Sequence, residues 1–534
     1  MPRSMRRLFL SIALVAAGPL NSSAGAASQP DILLIMADDL GFSDLGCYGG
    51  EIATPQLDAL AAGGLRYSQF YNTGRCWPTR ASLLTGYYAQ QVRRDSLRGV
   101  GGYQGKRPAW APLVSQQLQS HGYRCYHSGK WHIDGHPRQN GFAHSYHTKD
   151  TNSYFRPSGQ FLDGKMLSEQ QLEEDYYETT RITDHALSML RKHLAEHRAL
   201  PFFQYLAFTA PHFPLHAERE DIERYATRYV QGWDAMRNAR WQALKKLGIL
   251  AGRLGPLESH IGSPYNSAES LTALGSSEVT HELPWIELTD AQRQFQAAKM
   301  AVHAAMIDRM DREIARVIRL LRDEGRLDNT LVLFLSDNGA SSELLVRGEG
   351  HDQQASPGSA ETFLCLGPAW SRTANTPFRR HKSWVHEGGI ATPLIAHWPS
   401  GIKDAGSWRS TVGHVIDIPI TLLDIAGVKS AAVPTQDNVP SPPGVSFSGS
   451  FTSNSSAARP PIWWRHAGHR AIRDGDWKLV AEKGGPWELY HLQHDRTETQ
   501  NLAVAQPARV KRLASQWEEL AEQFATDAKQ DLPH

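Results

Sequence analysis

The stretch DILLIMADD, residues 31–39, is an apolar run that ends in two adjacent acids. A run of this length with no polar alternation fits a strand buried on both faces, as in a parallel sheet covered by helices on each side. The two acids then stand at the C-terminal tip of the strand, where open α/β sheets carry their ligand sites. Working outward, TPQLDALAAGG (54–64) reads as an amphipathic helix, with Thr54 at the N-cap, Pro55 in the first helical position and a stop at Gly63 and Gly64. LRYSQFYN (65–72) reads as a second strand.

The alternation continues along the chain. WAPLVSQQLQSHG is a helix and YRCYHSGKWH a strand plus loop. DYYETTRITDHALSMLRKHL is a helix and PFFQYLAFTAPHFP a strand ending in a polar loop. FQAAKMAVHAAMIDRMDREIARVIRLLRDEG is a long helix, NTLVLFLSDNG a strand tipped with acid and amide, and ATPLIAHWP follows. This order predicts an α/β fold with a large, mostly parallel β-sheet flanked by helices. Residues 217–285 are patterned more weakly and read as an insertion that shapes the cleft. Past residue 430 the texture changes. SAAVPTQDNVPSPPG is a linker, HRAIRDGDWKLV and WELYHLQHD form an antiparallel pair or small sheet, and QPARVKRLASQWEELAEQFATD is a closing helix. The expected layout is a first domain over 28–430 and a smaller α+β subdomain over 431–534.

Residues 1–27 place three arginines before an apolar run from Leu8 to Ala17 and then small residues, the layout of a signal peptide. The run is short for a bilayer span, so export to the periplasm or medium is expected, without stable membrane insertion. Charge is balanced, 56 Lys and Arg against 55 Asp and Glu, so nothing asks for a nucleic acid or an anionic membrane. The four cysteines, Cys47, Cys76, Cys125 and Cys365, are too few for a disulfide scaffold and contain no CxxC pair. An exported chain has room for one or two bridges, and the spacing leaves the pairing open.

Asp38 and Asp39 close one strand, and Asp337 and Asn338 close another at LSDNG. If those strands are neighbours, four oxygen ligands of the kind preferred by Ca²⁺ and Mg²⁺ converge; otherwise they are surface acids and helix caps. Lys130 and His132 in SGKWH, His212 in APHFP and Lys382 in RRHKSWVHEGG each follow a strand end. Singly these are ordinary polar residues. Together they would line a metal site with positive charge and suit a tetrahedral anionic ester, phosphate or sulfate. Cys76, in NTGRCWPTRASLLTG (72–86), stands among arginines, surroundings that suggest a low-pKa thiolate.

The stretch CWPTRASLLTG resembles the signature of type I sulfatases of the alkaline phosphatase superfamily. Cys76, Pro78 and Arg80 match its core, and Thr79 stands where the family most often has serine. DILLIMADDLGFSDLGCYGG, SGKWH, APHFP, SDNG, HKSWVHEGG, DGDWKLV and ELYHLQHDRTETQNLA are similar to its other blocks, in order, over nearly the whole chain after residue 27. The resemblance implies an alkaline-phosphatase-like fold and hydrolysis of sulfate esters, with Cys76 oxidised to formylglycine by a formylglycine-generating or anaerobic sulfatase-maturating enzyme. It implies Ca²⁺ rather than Mg²⁺ on Asp38, Asp39, Asp337, Asn338 and residue 76. It further implies that Arg80 holds the diol, that Lys130 and His132 flank the nucleophile, and that His212 and Lys382 contact the sulfate and the leaving oxygen.

In the mechanism so implied, one hydroxyl of the diol attacks sulfur and His212 protonates the departing alcohol. The second hydroxyl then expels sulfate from a sulfated hemiacetal, with His132 taking its proton. The expected substrate is a sulfated small molecule or saccharide. Two other readings stand beside it: a phosphodiester or phosphonate monoester hydrolase using the same site, and a catalytically silent surface-binding protein. Glu387, with Gly388 and Gly389, reads as a structural turn, and His414 and Asp417 as structural. Cys47 and Cys125 read as core or loop residues. His136, His144, His147, His185, His216 and Asp234 carry no assigned role.

Overall fold

A computed structural model of the chain describes residues 29–96, 105–148, 153–168, 175–250, 252–348, 350–428, 439–454 and 458–530. The expected signal segment, 1–27, lies outside the described residues. Strand β1 (Asp31–Ala37) is buried along its whole length. Ile32, Leu34 and Met36 enter one core cluster, and Leu33, Ile35 and Ala37 the other. Successive side chains of a strand point to opposite faces, so a strand with both faces covered shows no polar alternation.

The other strands of the large sheet are β2 (Leu65–Tyr71), β3 (Arg124–Lys130), β4 (Phe142–Thr148), β5 (Gln160–Leu162), β6 (Lys165–Met166), β7 (Phe202–Ala207), β8 (Thr330–Ser336), β9 (Ala391–His397), β10 (Ser407–Arg409) and β11 (Gly413–His414). Their order is β10-β2-β9-β8-β1-β7-β3-β4-β5-β6, with β11 beside β2. The central run β8-β1-β7-β3-β4 is parallel, while β9 runs antiparallel to both β8 and β2. Helices Glu178–Glu196 and Asp290–Asp323 cover one face, and Cys76–Thr85, Val114–Gln119 and Asp417–Ile425 cover the other. The mostly parallel, helix-flanked sheet read from the sequence is present.

Thr54 occupies the N-cap of helix Pro55–Ala62, but its hydroxyl does not cap. It accepts from Gly46 N and donates to Asp58 instead. The first free N–H groups of the helix, on Gln56 and Leu57, donate to the Asp311 carboxylate at 2.9 and 2.8 Å. A helix end needs such partners, and here a second helix supplies them. Within 217–285 lie helices Arg219–Glu223, Gly232–Lys246 and Ala268–Leu274. Buried Arg240 ties this stretch to the body through Asp44 at 2.7 Å and Glu51 at 2.8 Å.

A separate antiparallel sheet follows: β12 (Ile462–His466), β13 (His469–Asp474), β14 (Trp477–Ala481) and β15 (Glu488–His491), in sequence order. Helix Pro507–Asp527 packs on it through Trp517 and Phe524 against Trp463. Glu387 joins the two sheets. Its carboxylate meets Lys478 Nζ at 2.9 Å and Arg496 Nε at 3.0 Å, and accepts from Tyr71 Oη at 3.0 Å. Burial alone would raise this acid, but Lys478 and Arg496 outweigh it and hold it at about 2. His414 and Asp417 are likewise held in local bonds, His414 N donating to Asp417 Oδ2 at 2.8 Å and Arg459 Nη1 donating to the same oxygen at 2.6 Å. All four cysteines are buried and free.

Candidate active site

The last rung between β1 and β8 pairs Ala37 with Ser336. The next residues therefore emerge side by side, Asp38 beside Asp337 and Asp39 beside Asn338. Asp39 has φ 65°, the left-handed region that L-residues other than Asn and Asp seldom adopt. This turn breaks the strand alternation, so two consecutive acids converge: carboxylate oxygens of Asp38 and Asp39 and a His212 ring nitrogen all lie within 4.8 Å of one another. Asn338 Nδ2 donates to Asp39 Oδ1 at 2.6 Å, which fixes the amide with its oxygen free.

Cys76 is the first residue of helix Cys76–Thr85, and its Sγ lies within 4.8 Å of carboxylate oxygens of Asp38 and Asp337. The loop before it is braced by the Thr79 hydroxyl, which accepts from Thr73 N at 3.0 Å and pairs with Thr73 Oγ1 at 2.8 Å. A serine or threonine at position 79 meets this need. One turn into the helix, Arg80 donates from Nε and Nη2 to Asp337 Oδ2 and from Nη1 to the Lys130 carbonyl. Lys130, at the tip of β3, donates to Asp38 Oδ2 at 2.5 Å. Lys382 meets Asp39 at 2.8 Å and Glu343 at 3.1 Å. His212 follows β7 and donates from Nδ1 to the Phe213 carbonyl at 2.6 Å, leaving Nε2 3.7 Å from Asp39 Oδ2.

Burial opposes ionisation of each acid, and neighbouring charges decide the outcome. For Asp38, burial is outweighed by Lys130, His212, Arg80 and Lys382, which hold the carboxyl well below the usual range. For Asp337, burial and the Asp38 charge prevail over Arg80 and raise it to about 7. Burial lowers His212. Burial also pushes the Cys76 thiol up to about 12, with Lys130 and Lys382 only partly offsetting it. That overturns the low-pKa thiolate suggested by the nearby arginines: desolvation exceeds their attraction, and Arg80 is already committed to Asp337.

The structure brings together Asp38, Asp39, Cys76, Arg80, Lys130, His212, Asp337, Asn338 and Lys382. His132 stands beside them, with φ 55° and its ring edge-on to Trp77 at 5.8 Å. Two charged residues of the cluster went unread in the sequence. Arg75, the neighbour of Cys76, pairs with Glu343 at 2.9 Å, and Glu343 reaches Lys382. Arg75 lay within the quoted motif, whereas Glu343, in a loop past SDNG, carries no local signal. The Tyr265 ring, from the 217–285 stretch, lies over the Arg75 guanidinium at 5.3 Å.

The donor set fits a hard cation. Asp38 Oδ1 and Asn338 Oδ1 are buried with no hydrogen-bond partner among the described residues. Orphaned buried oxygens among carboxylates are costly unless a cation satisfies them, and an all-oxygen set favours Ca²⁺ or Mg²⁺.

A parallel sheet with charged and oxygen-bearing residues gathered at its strand tips is the arrangement of an α/β protein that binds its ligand at the C-terminal ends of the strands. The family model described as Sulfatase matches residues 30–428, and the chain belongs to the sulfatase family, as a sulfuric ester hydrolase. It is 32% identical to an uncharacterized sulfatase of Schizosaccharomyces pombe, over 92% of this chain and 93% of that protein. It is 31% identical to an arylsulfatase of Klebsiella aerogenes, over 78% of this chain and 90% of the relative. Among solved structures, Ps i-CgsB in complex with k-i-k-neocarrahexaose superposes with a TM-score of 0.66 at 23% identity, covering 94% of this chain and 95% of that one. A phosphonate monoester hydrolase from Silicibacter pomeroyi shares the fold with a TM-score of 0.57 at 19% identity, covering 93% and 96%. Among the described residues no helix is long and apolar enough to cross a membrane.

Proposed function

We propose that this chain hydrolyses sulfate monoesters of saccharides at residue 76, after its conversion to formylglycine, with Ca²⁺ bound by Asp38, Asp39, Asp337, Asn338 and residue 76. The observation that carries the reading is the convergence of Cys76 with Asp38 and Asp337 inside a ring of Arg80, Lys130, Lys382 and His212. When bound, Ca²⁺ would supply Lewis-acid polarisation of a sulfate oxygen and of the nucleophile. Formylglycine would supply a geminal diol, with a second hydroxyl through which sulfate can be released.

The remaining tasks fall to the chain's own side chains. Arg80 fixes Asp337 by its two-nitrogen contact and so holds one wall of the cation site. Lys130 and Lys382, both buried, set ammonium groups where negative charge grows on the sulfate oxygens. His212, tethered through Nδ1, presents Nε2 to carry a proton to the departing oxygen, and His132 takes the proton from the second hydroxyl. A saccharide substrate is favoured by the fold neighbour in complex with neocarrahexaose, and by the aromatic side chains Trp77 and Tyr265 over Arg75. Residues 1–27 have the layout of an export signal, which suits such a substrate.

The test uses protein coexpressed with a formylglycine-generating enzyme. Peptide mass measurement should show residue 76 with one oxygen in place of sulfur and two hydrogens, and an unmodified thiol in active protein would exclude the mechanism. Parallel kinetics on aryl sulfate, sugar sulfate and aryl phosphodiester substrates should give the largest kcat/KM for a sulfate. A larger value for the diester would make the phosphodiester or phosphonate reading the correct one.

A further inference from the structure

The tip of the β12–β13 hairpin lies against both chain segments that deliver the site's reactive groups. His466 pairs directly with His469, so the turn consists of Ala467 and Gly468 alone, with Ala467 at φ 50°. On one side the His466 ring meets Trp77, the residue after Cys76, with centroids 5.5 Å apart. Trp77 in turn meets His132. On the other side the His469 ring meets Trp384, two residues beyond Lys382, at 5.4 Å. The small sheet therefore lies against both the Cys76 and the Lys382 segments.

His466 is held there as an oriented group. Its Nδ1 donates to Asp95 Oδ2 at 2.8 Å, and both side chains are buried. Asp95 is itself fixed, accepting from Gln90 Nε2 at 3.2 Å and from Ser96 N at 2.7 Å. Gln90 also donates to the Arg465 carbonyl, which locks the end of β12. A neutral imidazole whose Nδ1–H is given to a carboxylate keeps its lone pair on Nε2, on the opposite edge of the ring. That atom makes no hydrogen bond among the described residues. Trp77 and His132 beside it are partly exposed, so this flank of the pocket is open to a substrate.

We propose that His466 is a substrate-binding residue for the alcohol part of the ester. Its Nε2 accepts a hydrogen bond from a hydroxyl or N–H borne by the carbon skeleton near the sulfate, and Asp95 is the positioning residue that fixes the ring. The substrate class so selected is a sulfated alcohol with a second donor close by, as in a sugar, over a plain aryl sulfate. The inference rests on the sulfatase reading of the residue-76 site.

The experiment compares wild type, His466→Ala, His466→Gln and Asp95→Asn, each matured at residue 76, on a monosaccharide sulfate and on p-nitrophenyl sulfate, with thermal unfolding of every variant. Loss of a hydrogen-bond acceptor in a built site predicts that His466→Ala lowers kcat/KM on the sugar at least about tenfold more than on the aryl sulfate, mainly through KM. His466→Gln, which keeps an acceptor oxygen, should recover part of that difference, and Asp95→Asn should show the same preference at smaller size. Equal losses on both substrates, or none, in a folded variant would overturn the proposal. If His466→Ala fails to fold, the His466→Gln and Asp95→Asn ratios decide it. Wild-type protein inactive on both sulfates would instead remove the sulfatase reading, a distinguishable failure.

Discussion

Arg80 and Asp337 meet through two nitrogens on one oxygen, Nε and Nη2 to Oδ2 at 2.9 and 2.7 Å, and neither side chain is exposed to solvent. Removing one member of a buried pair leaves the other charge unpaired, at a cost of about 3–5 kcal/mol. Arg80→Ala should lower the unfolding temperature by several degrees and reduce sulfate-ester turnover by roughly 100-fold or more. Arg80→Lys keeps the charge but not the fork, so it should regain part of the stability and little of the turnover. Thermal unfolding with steady-state kinetics checks both, and wild-type turnover in Arg80→Ala would contradict the placement of this residue.

The orphaned oxygens of Asp38 and Asn338 predict a response to divalent cations that does not depend on turnover. Protein stripped with a chelator should melt at a lower temperature and regain stability as Ca²⁺ is added, by about 3 kcal/mol at a hundredfold excess over Kd. Mg²⁺ should stabilise less, because it demands tighter octahedral geometry. Asn338→Ala should weaken the response. Melting curves that ignore Ca²⁺ altogether would count against the site.

Stability should also depend on pH through a buried acid outside the proposed ligand set. Glu178, the first residue of helix Glu178–Glu196, is fully buried, and burial raises its carboxyl from 4.5 to about 7 despite hydrogen bonds from Tyr176 and Thr148. The folded state then holds this proton more tightly than the unfolded state does. Between about pH 4.5 and 7 the folded chain binds more protons here, so stability falls as pH rises through that window. Glu178→Gln does not titrate. Its stability relative to wild type should be greater at pH 8 than at pH 4 by about 3 kcal/mol, read as a difference of denaturant midpoints. A constant difference across that range would refute the shift.

Glu387 should behave as a structural residue. Its carboxylate is fully engaged by Lys478, Arg496 and Tyr71 between the two sheets. Glu387→Ala should destabilise the protein by about 3–5 kcal/mol, since it leaves buried Arg496 without its carboxylate and Lys478 with Glu498 alone. The kcat/KM of the protein that remains folded should stay within a few-fold of wild type. A large loss of kcat without a change in melting temperature would instead make it part of the chemistry.

The features legible in the sequence were those written in contiguous residues. The apolar run 31–37 and its acid tip, and the matching run before Asp337, exposed the central strands and the ends that bear ligands. The convergence of Asp38 with Asp39 was not legible as geometry, because it depends on the left-handed backbone at Asp39. The reversed direction of β9 was hidden as well, since a buried strand reads the same either way. Thr54 looked like a cap, yet Asp311 performs that task from another helix. Glu343 was missed because its meaning comes only from Lys382 and Arg75, which the fold brings to it. The positive surroundings of Cys76 were legible but misleading, because no residue letter records how far burial will outweigh them.

The proposed cation ligands sit on the first residues beyond a β1–β8 register that the core itself enforces. Tyr265, Trp384 and His466, by contrast, come from the 217–285 stretch, a loop and a hairpin tip. On the proposed reading, bond cleavage and choice of alcohol therefore rest on separate parts of the chain. Re-engineering for another sulfated alcohol can exchange the second set, by loop grafting or hairpin replacement, while the strand ends are left untouched.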